Sequence, residues 1–245
     1  MDNQAPNDSG LAERPLQPGN GPRHPATCWG LLRRHTIVLP TLRGWLLLLI
    51  SAALILFCAA RELHPFLAVN DPVFDGILVV EGWTPDYGME MVRDTFKTNH
   101  YDRIYVTGGQ IEYGMHLSAY KTYAQLGAAT LTKLGLDSNV VQAVPGPPVI
   151  RDRTYYSAVS LKKWLLNHGI TPTRVLLLSD GPHTRRSRLL FQMAMGKDVK
   201  VGSIAIPPKD YDERQWWHYS SGVRSVIAES IAYLYARFLF SPPKQ

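Results

Sequence analysis

One histidine and three arginines fall within six residues of the segment Val175–Arg188, VLLLSDGPHTRRSR. The apolar β-run Val175–Leu178 breaks at Ser179-Asp180-Gly181-Pro182, and the chain resumes as a helix at His183, followed by Arg185, Arg186 and Arg188. A strand–turn–helix junction aims backbone N–H groups at an anion. Here the junction also supplies an imidazole and guanidinium groups, so it points to a negatively charged ligand, with His183 as general acid or base. The positive end of the helix dipole disfavours an imidazolium by about 0.3–1 kcal/mol, which predicts a neutral ring near pH 7. A helix turns about 100° per residue, so at least one of the three arginines faces solvent.

Other strand ends carry matching chemistry. Glu81-Gly82-Trp83 follows an apolar run; Glu81 offers a base, an acceptor, a metal ligand or a partner for an arginine. Thr107-Gly108-Gly109 ends a second run, and its glycines let backbone N–H groups approach an oxyanion. Arg151-Asp152-Arg153-Thr154 opens a helix, with Thr154 either its N-cap or a ligand contact. The candidate acid–base set is His183, Glu81 and Asp180. The candidate anion-binding set is Gly82, Thr107, Gly108, Gly109, Arg153, Thr154, Ser179 and Arg186. Asp86, His116 and His218 lack metal-ligand spacing, so no structural metal is expected, although a mononuclear site on Glu81 and Asp180 stays open. No cofactor is assigned.

The elements that must position these residues alternate in type. Short β-rich runs occur at 76–80, 103–107, 140–144, 175–178 and 199–206. Segments with helical spacing occupy 87–99, 115–134, 154–168, 183–195 and 222–240. Strands separated by such helices require crossover connections and a mostly parallel sheet. In the last segment Val223, Val226, Ile227, Ile231, Leu234, Tyr235 and Phe238 share one face, with Glu229 and Arg237 interrupting the apolar run. That reads as a helix on the sheet. Trp216-Trp217-His218-Tyr219 reads as packing at its entrance, with a membrane- or partner-facing patch as the alternative.

Residues 44–60 carry no charge and are bracketed by Arg43 and Arg61. A hydrocarbon core needs about 20 apolar residues, roughly 17 at the short end. Snorkelling arginines and Trp45 extend the reach. Some 40 residues precede the run, too many for a cleaved signal peptide, and Phe57 before Cys58 rules out a lipoprotein box. Arg33, Arg34 and Arg43 precede the span, whereas Arg61 is followed by Glu62, Asp71 and Asp75. The positive-inside rule then gives a disordered cytoplasmic tail over 1–41, a signal anchor over 42–61 and an extracytoplasmic α/β domain over 72–240.

Formal net charge is +6, and residues 61–245 hold 21 basic against 17 acidic side chains. That mild excess, without basic runs, excludes the nucleic-acid binders and suits small anions or anionic lipid. Cys28 and Cys58 lie outside the folded domain, so neither a disulfide framework nor a thiolate metal site is expected.

Over about residues 75–235 the chain resembles the YdcF/SanA/ElyC-like family of bacterial envelope proteins. The marks are Val79-Val80-Glu81-Gly82, Thr107-Gly108-Gly109, Arg153-Thr154-Tyr155 leading to Ala158, and His183 with Arg186, in that order. The sequence departs from the family pattern at Glu81-Gly82-Trp83, Tyr156-Ser157 and Ser179-Asp180-Gly181-Pro182, and an acidic residue common in the Thr segment is missing. The resemblance implies a Rossmann-like three-layer α/β domain with a mostly parallel sheet, preceded by a single transmembrane helix in the inner membrane and facing the periplasm. It also implies a role in envelope integrity, peptidoglycan precursors or surface polysaccharide. Two functions fit: an enzyme, a hydrolase or transferase acting on a phosphorylated or anionic, lipid-linked envelope intermediate, or a non-catalytic protein that binds such a ligand and recruits envelope enzymes.

Overall fold

The computed structural model describes residues 38–99 and 101–243. The expectation for the tail over 1–41 therefore lies outside the described residues up to position 37. The described residues divide into two units, with the boundary between Ile50 and Ser51. The larger is an α/β domain whose five strands are β1 (Ile77–Glu81), β2 (Ile104–Gly108), β3 (Val141–Pro145), β4 (Arg174–Asp180) and β5 (Lys200–Ile206). All pair in parallel, in the order β3-β2-β1-β4-β5. The five β-rich runs become these five strands, each with bounds displaced by a few residues at most.

Strand alternation builds two cores, because successive side chains point to opposite faces of a sheet. Val79, Tyr105, Val144, Val175, Leu177 and Val201 line one face, covered by α4 (Arg153–Asn167) and α5 (Thr184–Met195). Leu78, Val80, Ile104, Val106, Leu176, Leu178 and Ile206 line the other, against α2 (Asp86–Thr98) and α3 (Tyr123–Lys133). This is the Rossmann-like three-layer arrangement. The chain winds outward from β1 to β3, then returns to β4 on the other side of β1. The switch point of the topology thus lies between β1 and β4.

Three helices differ from the periodicity reading. The expected helix over 115–134 starts only at Tyr123. Thr122 caps it, accepting from Gln125 N, while the Gln125 side chain accepts from Thr122 N. That capping box is a start signal that outweighs the weak apolar spacing upstream. Asp152, in a left-handed conformation (φ 58°), holds the N-cap position of α4, so Thr154 lies inside the helix and is not its cap. The final segment forms α6 (Ser220–Leu234) and closes in a π-turn over Tyr235–Leu239.

The long apolar helix α1 runs Leu42–Leu67 and is long and apolar enough to cross a membrane. It continues past residue 61 because its last turns are packed. Leu67 is fully buried among Tyr211, Trp216 and Val226, and the His64 ring lies 3.2 Å from the Tyr211 hydroxyl.

Candidate functional site

Glu81 ends β1 on the same sheet face as Val79. Its register partner on β2 is Thr107, and Ser179 occupies the adjoining position on β4. Glu81 is 3% exposed. Ser179 Oγ donates to its Oε2 at 2.6 Å, and Ser187 Oγ, from α5, sits 3.1 Å from both oxygens. A buried charge survives only when paired and hydrogen-bonded, and here the pairing comes from His183. The 3-10 turn Gly181–His183 at the end of β4 brings Nε2 to 3.4 Å from Glu81 Oε1.

The other ring nitrogen faces α6. His183 Nδ1 is 3.0 Å from Glu229 Oε1. Arg186 grips the same carboxylate in a fork, Nε donating to Oε2 at 2.8 Å and Nη2 to Oε1 at 3.0 Å. Nδ1 also lies 2.8 Å from Arg186 Nη2. Protonated on Nε2 alone, the ring would donate to Glu81 and accept from Arg186 at Nδ1; protonated on both nitrogens, it donates to both carboxylates. The Trp83 ring stands edge-to-face against the imidazole, 4.8 Å between centroids.

The charges follow from this geometry. Burial opposes the imidazolium, but the Glu81 charge and hydrogen bonds to Glu229 and Glu81 outweigh both burial and the nearby Arg186, so the His183 pKa is pushed up to about 9. This reverses the neutral-ring expectation. Two carboxylates within 3.4 Å override a helix-end effect worth about 0.3–1 kcal/mol. Burial would also raise both carboxylates. His183 and the two serines bring Glu81 below its ordinary value, and His183 with Arg186 hold Glu229 far below it. Glu81, His183, Glu229 and Arg186 therefore form a closed set of two anions and two cations.

This set forms one wall of a cleft of about 630 Å³ at the carboxyl ends of the strands, a volume usual for small-ligand sites. The cleft brings together Glu81, Thr107, Gly108, Gly109, Arg153, Thr154, His183 and Arg186 from the sequence-derived sets. Gly108, at φ 156° and with Tyr123 Cβ against the place of a side chain, is suited only to glycine. Arg153 pairs with Glu112. Leu190, Ala232, Ala236 and Phe240 also line the cleft and give it apolar surface.

Three expected residues do not line the cleft. Ser179 lies beneath it, donating to Glu81. Gly82, the residue after β1, lies against the start of α3, and a methyl group there would overlap the Tyr123 carbonyl. Asp180 has the parity of Leu176 and Leu178, so it lies on the opposite sheet face from Glu81. Its Oδ1 is buried without a hydrogen-bond partner, and burial raises its pKa. A metal held jointly by Glu81 and Asp180 does not fit two side chains on opposite faces. Among the described residues no group of three or more His, Cys, Asp or Glu is arranged to hold a metal ion.

Glu229, Ser187 and Trp83 belong to the site without having been assigned to it from sequence. For Glu229 a signal was present, since it interrupts the apolar face of the last helix 46 residues after His183. The sequence matches no protein-family model, and it matches none of the curated proteins either.

Proposed function

We propose that this chain is a single-pass, membrane-anchored protein of the bacterial envelope, its α/β domain outside the cytoplasmic membrane, and that it acts as a hydrolase or transferase on a phosphorylated, lipid-linked intermediate. The carrying observation is His183, held between Glu81 and Glu229 at the topological switch point, where open parallel sheets bind ligands. A charged imidazole with this pKa is a proton donor rather than a base. As water, or the hydroxyl of an acceptor, forms the new bond to phosphorus and the P–O bond to the leaving group breaks, the ring gives its proton to the leaving oxygen and is reprotonated from solvent, while Glu81, fixed by two serines, keeps it in place. Of the two carboxylates, Glu229 is the exchangeable one, since its side chain is 18% exposed against 4% for Glu81. A phosphate oxyanion replacing it would take over the Arg186 fork and meet the Gly108-Gly109 turn. The apolar side chains of the lining, Leu190 and Phe240 among them, suit the hydrophobic portion of a lipid-linked substrate. The order of the four motifs supports the YdcF/SanA/ElyC-like reading.

A second reading, an anion-binding scaffold that recruits envelope enzymes, has its own support. Both nitrogens of His183 are engaged, and the two serines nearest it are committed to Glu81. The full chain in detergent should release phosphate from phosphomonoester or pyrophosphate substrates. Arg186→Ala should raise KM on the order of tenfold or more, the value of a charge-assisted contact. Thermal stabilisation by such anions with no turnover would select the scaffold reading instead.

A further inference from the structure

The groove where α1 enters the domain shows a second chemistry, separate from the cleft. Trp216 Nε1 donates to the Ala60 carbonyl at 2.9 Å, and the rings of Phe57 and Trp217 meet edge-to-face, 6.1 Å between centroids. The Arg61 guanidinium lies 5.9 Å from the centre of the Phe57 ring. Phe57 and Arg61, with Arg214, Gln215, Trp217 and His218 from the 3-10 segment Glu213–His218, line a groove of about 330 Å³. No carboxylate lines it. Glu62 and Glu213 line a separate hollow that Arg61 and Arg214 also border. Neither arginine forms a salt bridge among the described residues.

We propose that this groove seats an anionic phospholipid of the leaflet facing the domain, with Arg61 and Arg214 on its phosphate and Phe57 and Trp217 along its glycerol and upper acyl chain. The inference rests on the reading that α1 crosses the bilayer. The position along the chain selects the occupant. Residues 44–60 are uncharged and Arg61 is the first charge after them, so the groove falls where hydrocarbon gives way to headgroups. Tryptophan and arginine concentrate at that level. The groove has arginines and aromatic rings side by side; a soluble anion would engage the arginines alone, whereas a phospholipid neutralises them and packs along the rings together.

Native mass spectrometry of the full chain, offered equimolar phosphatidylglycerol and phosphatidylcholine in detergent, tests this. The wild type should retain the anionic lipid preferentially, by roughly fivefold per arginine. Arg61→Gln/Arg214→Gln should remove the preference and Arg61→Lys/Arg214→Lys should keep it. Lys97→Gln/Lys133→Gln, altering exposed lysines of α2 and α3, should also keep it. Equal retention of both lipids by the wild type, or a preference that survives the double glutamine variant, overturns the proposal. Membranes washed at alkaline pH separate the two readings: the double glutamine variant should stay with the bilayer, while release of the wild type would refute the span itself.

Discussion

Glu81→Ala should cost about 3–5 kcal/mol of stability, the usual penalty for leaving a buried charge uncompensated. For a domain of this size, that is a fall in Tm of roughly 6–20 °C. Alanine strands three groups at once: the His183 imidazolium and the hydroxyls of Ser179 and Ser187, all of which point at the lost carboxylate. Well-packed apolar residues replace buried ion pairs at little cost. Glu81→Leu/His183→Leu should therefore recover most of the loss while abolishing activity. Thermal melts of the full chain in detergent give both values. A Tm for Glu81→Ala within a degree or two of the wild type would mean that the carboxylate is not held as described.

The second large effect concerns turnover. His183→Ala should lower kcat by about 10²- to 10⁴-fold, the usual share of a positioned proton donor, measured as phosphate release by the folded fraction. Arg186→Ala should act mainly on KM, because it removes a contact made before the proton moves. An unchanged kcat in His183→Ala would remove the imidazole from the chemistry and leave binding as the function of the cleft.

The fold was largely legible because strands and helices differ in period. Five β-rich runs separated by helical spacing leave few topologies other than a parallel sheet with crossovers. The site was legible only in part, for three physical reasons. The side-chain period of a strand is two, so Asp180 and Ser179 point to opposite faces, and which one joins Glu81 depends on a register that forms only on folding. Glu229 reaches His183 across 46 residues of sequence, through the placement of α6. The charge of His183 could not be read from its position at a helix start, since both carboxylates that decide it come from other elements. Thr122 and Gln125, by contrast, spell out a capping box in the sequence itself, and the start of α3 could have been placed from them.

The same network fixes a pH dependence. His183 has a folded pKa above its ordinary 6.5. Its contribution to stability is therefore complete below pH 6.5 and is lost as pH rises through about 9. Glu81 and Glu229, both depressed from 4.5, contribute fully above that value and less as pH falls through their folded values. The network is therefore at full strength between about pH 4.5 and 6.5.

The most direct test of the cleft as a closed set of charges is a ¹⁵N NMR titration of the His183 ring in the full chain. The expected result is an imidazolium, protonated on both nitrogens, that persists through neutral pH and titrates near 9. A ring that titrates near 6.5, or is neutral at pH 7, would contradict the pairing with Glu81 and Glu229 on which the proposed function rests.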